Sequence, residues 1–326
     1  MTTPTISVAL CTHNGERFVA EQIRSILAQT TPVTEIVLGD DASTDATVSV
    51  VEKAVAGLGA KAPTLVVIRN EVALGVAANF EATLRACTGE LVLLSDQDDS
   101  WHPTRVSLTV AEFAARPRLT LLHSDATLVD ADGTPTGRGL FEVLGVTADD
   151  LASEHEGNGF AVLLTRNIVT GATVALRRSL LDVALPVPPA WIHDEWLAAV
   201  SAATGGLDSL ERQLVDYRQH GGNVIGVSRL SVAQKWGKLV EPRGDRNTQL
   251  AQRALELADR LGNMQGVPAD ILHSARGKLL HETRRASLSP HRLGRLRTVA
   301  AELASGRYSV YGRGTADIAR DLVQPA

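Results

Sequence analysis

The sequence predicts an α/β protein, with a mainly parallel central sheet flanked by helices and a helical C-terminal region after it. Three observations predict this class. Short apolar runs alternate with amphipathic stretches through the first hundred residues. Polar residues follow each of these runs directly. After Gly222 the pattern becomes wholly helical.

Ile6 to Cys11 is a continuous apolar run, as in strands buried on both faces. Asn14 is placed to cap a helix whose apolar positions include Val19, Ile23 and Leu27, four apart. Glu35 to Gly39 reads as the second strand, with Ser43 capping the helix after it. Leu65 to Ile68 is the third strand, Val76 to Ala86 a helix, and Leu91 to Leu94 the fourth strand. Pro103 suits the first turn of the next helix, and Leu119 to His123 reads as a fifth strand. The alternation then loosens. Gly133 to Gly145 reads as a hairpin or loop, Val169 to Leu176 as a strand, Asp194 to Ala203 as a helix and Arg212 to Tyr217 as a strand. Breaks at Pro242, Gly266 to Pro268 and Pro290 punctuate the helices that follow. A boundary near residue 225 is expected, dividing residues 1–225 from a helical region at 226–326.

A net charge of -5 gives no global reason to expect a nucleic-acid partner. Cys11 and Cys87, the only two cysteines, are too few for a disulfide framework and read as buried thiols. No basic leader precedes the first strand and no apolar run is long enough to span a bilayer, so a cytoplasmic protein is expected. From Arg276 to Arg320 there are ten basic residues and three acidic ones. That stretch reads either as a solvated helical face or as a surface for anionic lipid, at the inner face of a membrane, or for a diphosphate-bearing acceptor.

In open α/β sheets, ligands bind at the carboxyl ends of the strands. Here those ends carry Thr12 to Glu16, Asp40 to Asp45, Arg69 to Glu71 leading to Gly75, and Asp96 to Asp99. The glycine patterns of dinucleotide-binding and P-loop sites are absent. Carboxylates repel a bare phosphate but suit one bridged by a hard divalent cation, Mg²⁺ or Mn²⁺. Asp96 and Asp98 alternate on an extended segment and therefore point the same way. Taken singly, Asp40 and Asp41 would also serve as a turn and helix cap, and Asp96 to Asp99 as a helix start.

As an ordered set, these segments resemble glycosyltransferase family 2, whose fold is GT-A. The matching pieces are Val8 to Gly15, Gly39 to Asp45, Asn79-Phe80 and Leu94 to Trp101. The D-Q-D-D-x-W form of the last, with Tyr217 to Asn223 later, is similar to the rhamnosyltransferase-like branch. The resemblance spans roughly residues 5 to 225. It implies that Thr12, Asn14 and Glu16 line a nucleotide pocket and that Asp40 or Asp41 binds a uracil or thymine ring. It implies also that Gly75 and Asn79 approach the donor, that Asp96 faces the ribose or sugar, that Asp98 holds the metal, and that His220 is a further metal or diphosphate ligand. Relatives often carry proline where this chain has Cys11, and many carry arginine where it has Ala78.

The implied activity is inverting, metal-dependent transfer of a sugar, rhamnose on the branch resemblance, from a dTDP-, UDP- or GDP-sugar. The acceptor would be a glycan, a lipid-linked glycan or a small molecule. Such transfer needs a base for the acceptor hydroxyl. His193-Asp194-Glu195-Trp196 offers candidates at a predicted helix start, and the family pattern points to Asp194. Glu195 and His193 are local rivals. Gly171 to Thr173 is either the floor of an acceptor pocket or a tight turn, and Trp191 and Trp196 either stack on sugars or anchor the core. A non-catalytic sugar-nucleotide sensor would keep Asp40 and Asp98 without needing a base. A nucleotidyltransferase would need a glycine-rich, basic phosphate loop, which Thr12 to Glu16 is not.

Overall fold

The structure is a computed structural model that describes residues 3–220 and 242–325. Its sheet begins with four parallel strands, in the order β3 (Thr64–Arg69), β2 (Glu35–Asp40), β1 (Ile6–Thr12) and β4 (Leu91–Ser95). Beyond β4 the sheet turns mixed. The three-residue β8 (Ala175–Arg177) runs antiparallel between β4 and β6 (Leu121–Val129). The long β9 (Leu207–Arg218) pairs parallel with β6 and antiparallel with β5 (Ser100–Trp101). A short β7 (Pro135–Gly139) makes a hairpin with β6. The fold class expected from the sequence is the one observed: a mostly parallel central sheet with helices on both faces and a helical extension.

Alternation along β1 explains the layering. Ile6, Val8 and Leu10 face one core, shared with Val19 and Ile23 of α1 (Glu16–Leu27), Val51 of α2 (Thr47–Ala56) and Phe113 of α4 (Arg105–Ala115). Ala9 and Cys11 face the other, shared with Phe80 and Leu84 of α3 (Val76–Ala86) and with α9 (His193–Ala203). Between β7 and β8 lie the short helices α5 (Leu140–Leu144), α6 (Ala148–His155) and α7 (Gly159–Thr165); α8 (Leu181–Ala184) follows β8. Trp196 is fully buried, its indole N–H donating to the Ala184 carbonyl at 2.6 Å, so it is the core anchor of the tryptophan pair. Cys11 and Cys87 are free and buried, as expected.

Several local expectations are corrected. Asn14 does not cap α1; the position before that helix is Gly15, and no side chain caps it. Ser43 does not cap α2, which begins after Ala46. Both residues instead tie the two loops to each other, as described below. Ile26 takes the buried position on α1, while Leu27 is only partly buried. Pro103 lies just before α4 rather than in its first turn. The segment from Val169 is largely a 3₁₀ turn, Gly171–Thr173, and only Ala175–Arg177 enters the sheet.

The C-terminal helices are α10 (Arg246–Asn263), α11 (Ala269–Ala286), α12 (Arg292–Ala304), α13 (Arg307–Tyr311) and α14 (Thr315–Val323). Leu257, Leu261, Ala275 and Tyr311 share the core of α3 and α9, so these helices pack on the sheet domain's own helical layer. The expected boundary at residue 225 falls outside the described residues. Much of the basic stretch is turned inward. Arg285 is buried against Asp321 (2.7 Å) and Glu282 (3.0 Å), and Tyr308 donates to the same Asp321 at 2.8 Å. Arg295 is also buried and donates to the carbonyls of Asp321 and Gln324. Among the described residues no helix is long and apolar enough to cross a membrane.

Gly39 lies where β2 meets α3. A methyl there would fall 1.9 Å from Thr83 Oγ1. Gly39→Ala is expected to destabilise the fold by about 1–3 kcal/mol through overpacking. Urea unfolding measures this, and an unchanged midpoint would show that α3 can shift away at no cost.

Candidate active site

The carboxyl ends of β1, β2 and β4 open into a cavity of about 320 Å³. Thr12, Asp41, Asn79, Asp96, Asp98 and Asp194 all line it, so six of the residues singled out in the sequence come together. Asn14, Glu16, Asp40, Gly75 and His220 stand behind or beside it, and their contacts explain how the rim is held.

Two loops hold each other. The Asn14 N–H donates to Ser43 Oγ (2.8 Å), and the Thr44 N–H donates to Asn14 Oδ1 (2.9 Å). Asn14 has φ +47°, a left-handed conformation that asparagine tolerates better than most residues. Glu16 accepts from the Ala46 N–H (3.1 Å), and Asp45 accepts from the Glu16 N–H (3.1 Å). Gln97 clamps the His13 backbone, accepting from its N–H (2.8 Å) and donating to its carbonyl (3.1 Å). A side chain at Gly15 would collide with Gln97.

Asp40 is buried beneath this junction, accepting from Thr12 Oγ1 (2.9 Å) and the Ser43 N–H (3.0 Å). Asp41 reaches the cavity wall. One oxygen accepts from the Leu74 N–H (2.7 Å) and Asn70 (2.9 Å), the other from the Gly75 N–H (2.9 Å). Burial would raise its carboxyl, but these donors outweigh burial and hold it below the ordinary value. Gly75 adopts φ +87°, which brings its N–H onto Asp41. Asn79 is buried, donating to the Gly39 carbonyl (2.9 Å).

The acidic segment after β4 divides by direction. Asp96 and Asp98 face the cavity, whereas Asp99 is buried and accepts from the Arg218 N–H at 3.0 Å. Burial, then the nearby Asp98 and Asp194 charges, push Asp96 up to about 7. Burial first, then Asp98 and Asp96, raise Asp99 well above the carboxylate range. Sequence reasoning missed the cation that faces them. Arg105 is 1% exposed, lies 4.0 Å over the Trp101 ring and donates weakly to the Leu94 and Val174 carbonyls. Burial pulls it down to about 9, against the opposing pull of Asp99 and Asp96. Nothing in the pattern distinguishes this arginine from a surface one on a helix. Arg218 anchors the segment from the other side, donating to the Asp98 carbonyl (2.8 Å) and to Glu21 (2.8 Å). His220 Nε2 lies 2.7 Å from Asp98 Oδ2, its ring stacked on Phe18.

Across the cavity, Asp194 opens α9. Its carboxylate accepts from the Gly171 N–H and the Glu195 N–H, both at 2.8 Å. A Cβ at Gly171 would lie 3.2 Å from His193 Nε2 and 3.4 Å from Asp194 Oδ2, so the bare backbone permits this approach. Burial raises the Asp194 carboxyl, only partly offset by the two N–H donors. Glu195 is ion-paired with Arg253. His193 is buried, stacked on Phe80 at 4.0 Å, and among the described residues neither ring nitrogen has a hydrogen-bond partner. Burial pushes it down to about 3, so it is neutral through the physiological range.

Among the described residues no group of three metal-ligating side chains converges. Asp98 and His220 form a pair whose carboxylate suits either Mn²⁺ or Mg²⁺ and whose imidazole suits Mn²⁺ better than the harder Mg²⁺. A pair suffices where substrate phosphates and water complete the shell, as is common for Mg²⁺.

The parallel strands, the acid-rich rim and the flanking helices define the class: a GT-A fold. The chain belongs to glycosyl transferase family 2, whose family model matches residues 7–182. An uncharacterized glycosyltransferase from a Nostoc species is 29% identical over 224 residues, 67% of this chain and 66% of its own. Escherichia coli WfaP, named as a UDP-Glc:alpha-D-GlcNAc-diphosphoundecaprenol beta-1,3-glucosyltransferase, is 25% identical over 221 residues, 67% of this chain and 79% of its own. The chain spans 66% of the Nostoc relative's length and 59% of that of uncharacterized mycobacterial relatives. Among solved structures, S. aureus TarS 1-349 in complex with UDP-GlcNAc has the same fold, with a TM-score of 0.58 at 18% identity over 97% of this chain and 89% of that one.

Asp41→Asn keeps the shape but loses a carboxylate that accepts from three donors. The expected cost is about 1–3 kcal/mol at neutral pH. A carboxyl held low in the fold stabilises it above the unfolded-state pKa and loses that contribution as pH falls through the folded value. The gap between variant and parent in urea midpoint should therefore be full at pH 7 and close in acid. A gap independent of pH would mean that the charge of Asp41 contributes nothing.

Proposed function

We propose that the chain is an inverting, metal-dependent glycosyltransferase that moves a sugar from a nucleoside-diphosphate donor to an acceptor hydroxyl. One observation carries the reading: Asp194 on α9 and Asp96 and Asp98 after β4 face a single cavity whose rim also holds Thr12, Asp41 and Asn79. Nucleotide contacts are assigned to Thr12, Asp41 and Asn79 directly. Asn14, Glu16, Asp40 and Gly75 shape the loops that present them.

Asp194 is the proposed base. A carboxyl raised by burial holds a proton more tightly than an ordinary one, which suits proton removal near neutral pH. Glu195 is committed to Arg253, and His193 is too weak a base. The acceptor hydroxyl gives its proton to Asp194 while its oxygen bonds to the anomeric carbon. The bond from that carbon to the diphosphate oxygen breaks on the opposite face, and the configuration inverts. Asp98 and His220 are the residues that would hold Mg²⁺ or Mn²⁺, which when bound supplies positive charge against the departing diphosphate. The D-Q-D-D-x-W form of Asp96 to Trp101 favours dTDP-rhamnose as donor; UDP- and GDP-sugars are the alternatives, UDP-Glc being the donor in the name of WfaP and UDP-GlcNAc the molecule bound to TarS. We place the reaction in the cytoplasm, on a glycan, lipid-linked or small-molecule acceptor.

A thermal-shift screen of TDP, UDP and GDP with and without Mn²⁺ tests the donor site, because a ligand that binds only the folded state raises the Tm. One diphosphate should stabilise in a Mn²⁺-dependent way, and Asp98→Asn should lose the effect. No shift with any of them would remove the reading. Asp194→Asn should keep that shift and lower kcat by about 10²–10⁴-fold. Because the base must be ionised, the parent's activity should fall as pH drops through a value above the usual carboxylate range. An acid limb at or below pH ~4 would point to a different base. A product that retains the donor's anomeric configuration would exclude inversion.

Peripheral contact with anionic lipid is assigned to α12, where Leu293, Leu296 and Leu303 are exposed on one face, with Arg292 and Arg297 exposed beside them. Cosedimentation with anionic liposomes should fall with salt and in Leu293→Ser/Leu296→Ser; binding indifferent to both would eliminate this surface.

A further inference from the structure

A second cavity, of about 310 Å³, lies between α7, α9 and the C-terminal helices α10, α11 and α14. It adjoins the first, for Asn167 and Glu195 line both. Its wall is markedly basic, with seven arginine or lysine side chains against three carboxylates, Glu195, Glu282 and Asp317.

Four of the seven cations are committed. Arg166 is paired with Asp150, Arg253 with Glu195, Lys278 with Glu282, and Arg285 with Glu282 and Asp321. The other three are held more loosely. Among the described residues Arg246 reaches Asp317 at 3.4 Å and Asn247 Oδ1 at 3.3 Å, Arg320 reaches Asp317 at 3.5 Å, and Arg285 adds a third guanidinium to that carboxylate at 3.5 Å. Charge-assisted pairs normally close to about 2.7–2.9 Å. The Arg313 side chain has no hydrogen bond or ion pair among the described residues; only its backbone N–H meets Asp317, at 2.9 Å. One carboxylate therefore stands among guanidiniums it cannot neutralise. Burial lowers the Arg246 guanidinium, and although Asp317 opposes this, the neighbouring Arg285 and Arg320 charges lower it too. The cavity has the charge of a site for an anion that the described residues do not supply.

We propose that this cavity binds a phosphoryl group carried by the acceptor, with Arg246, Arg313 and Arg320 as its ligands. The acceptor's hydroxyl would then lie on the Asn167–Glu195 side, toward Asp194. The assignment to an acceptor rests on the glycosyltransferase reading; the anion site itself does not. Arginine is suited to the task because its planar fork matches phosphate oxygens.

The test is titration calorimetry of the full chain with inorganic pyrophosphate in the absence of divalent cations. Arg313→Gln/Arg320→Gln should weaken binding by about tenfold or more, while Arg212→Gln/Arg276→Gln, which removes equal charge from exposed positions outside the cavity, should not. Equal loss in both variants would reduce the effect to a diffuse positive field and overturn the site. Binding that survives the cavity variant unchanged would put pyrophosphate elsewhere on the chain and overturn it as well. In turnover, the cavity variant should raise KM for a phosphorylated acceptor about tenfold and leave KM for its dephosphorylated counterpart in place. A sugar 1-phosphate and a polyprenyl-diphosphate sugar in detergent separate a soluble acceptor from a lipid-linked one. A KM that moves equally with and without the phosphoryl group would overturn the acceptor assignment. Pyrophosphate binding as expected in a chain that neither binds nor hydrolyses any nucleoside-diphosphate sugar would overturn the acceptor assignment through the failure of the transferase reading, with the anion site intact.

Discussion

The site depends on keeping several carboxylates together in a poorly solvated place. Burial raises the proton affinity of Asp96 and Asp99, and neighbouring charges raise it further, Asp98 and Asp194 acting on Asp96, and Asp98 and Asp96 on Asp99. Such a cluster could not persist as four bare charges. Arg105 beneath it and Arg218 beside it make it tolerable, the first by charge and the second by tying the Asp98 carbonyl and the Asp99 carboxylate to β9. Both arginines are almost fully buried, and each is held by backbone carbonyls as well as by acids. The mixed half of the sheet thus has a function beyond extending the core. It delivers β9, and with it Arg218 and His220, to the end of a strand whose own sequence would otherwise repel itself.

The opposite wall is built with less charge. Asp194 is oriented by two backbone N–H groups, one from its own helix and one from the 3₁₀ turn at Gly171. α9 is buried along almost its whole length, only Asp194 and Glu195 of its first turn being partly exposed. That burial comes partly from the C-terminal helices, since Leu257 and Leu261 of α10 share a core with Trp196 and Leu197. Truncating the extension would therefore remove support from the helix that carries Asp194.

The four parallel strands and Val76–Ala86 were legible because a strand buried on both faces has to be largely apolar, and the central residues of β1, β2 and β4 are. The rim was legible because polar residues follow such strands directly. The mixed half was less so. β5 has two residues and β8 three, too short for any period to register, and β9 carries exposed charges at Glu211 and Arg212 in mid-strand. Asn14 and Ser43 have the residue types of helix caps, but their partners are thirty residues away, and local spacing carries no trace of a contact between loops. Arg105, Arg285 and Arg295 read as surface residues because arginine usually is one. Only the assembled structure shows them inside, which is also why the basic C-terminal stretch is less of a solvated face than its composition implied.

The mutual grip of the loops after β1 and β2 has a thermodynamic consequence. The Asn14–Ser43, Thr44–Asn14, Ala46–Glu16 and Glu16–Asp45 hydrogen bonds form between segments of the chain itself, without any ligand. The conformational entropy of ordering these loops is lost on folding, not on association. A small molecule entering between them meets walls already in place, so its contacts with Thr12 and Asp41 need not be offset against the freezing of two loops.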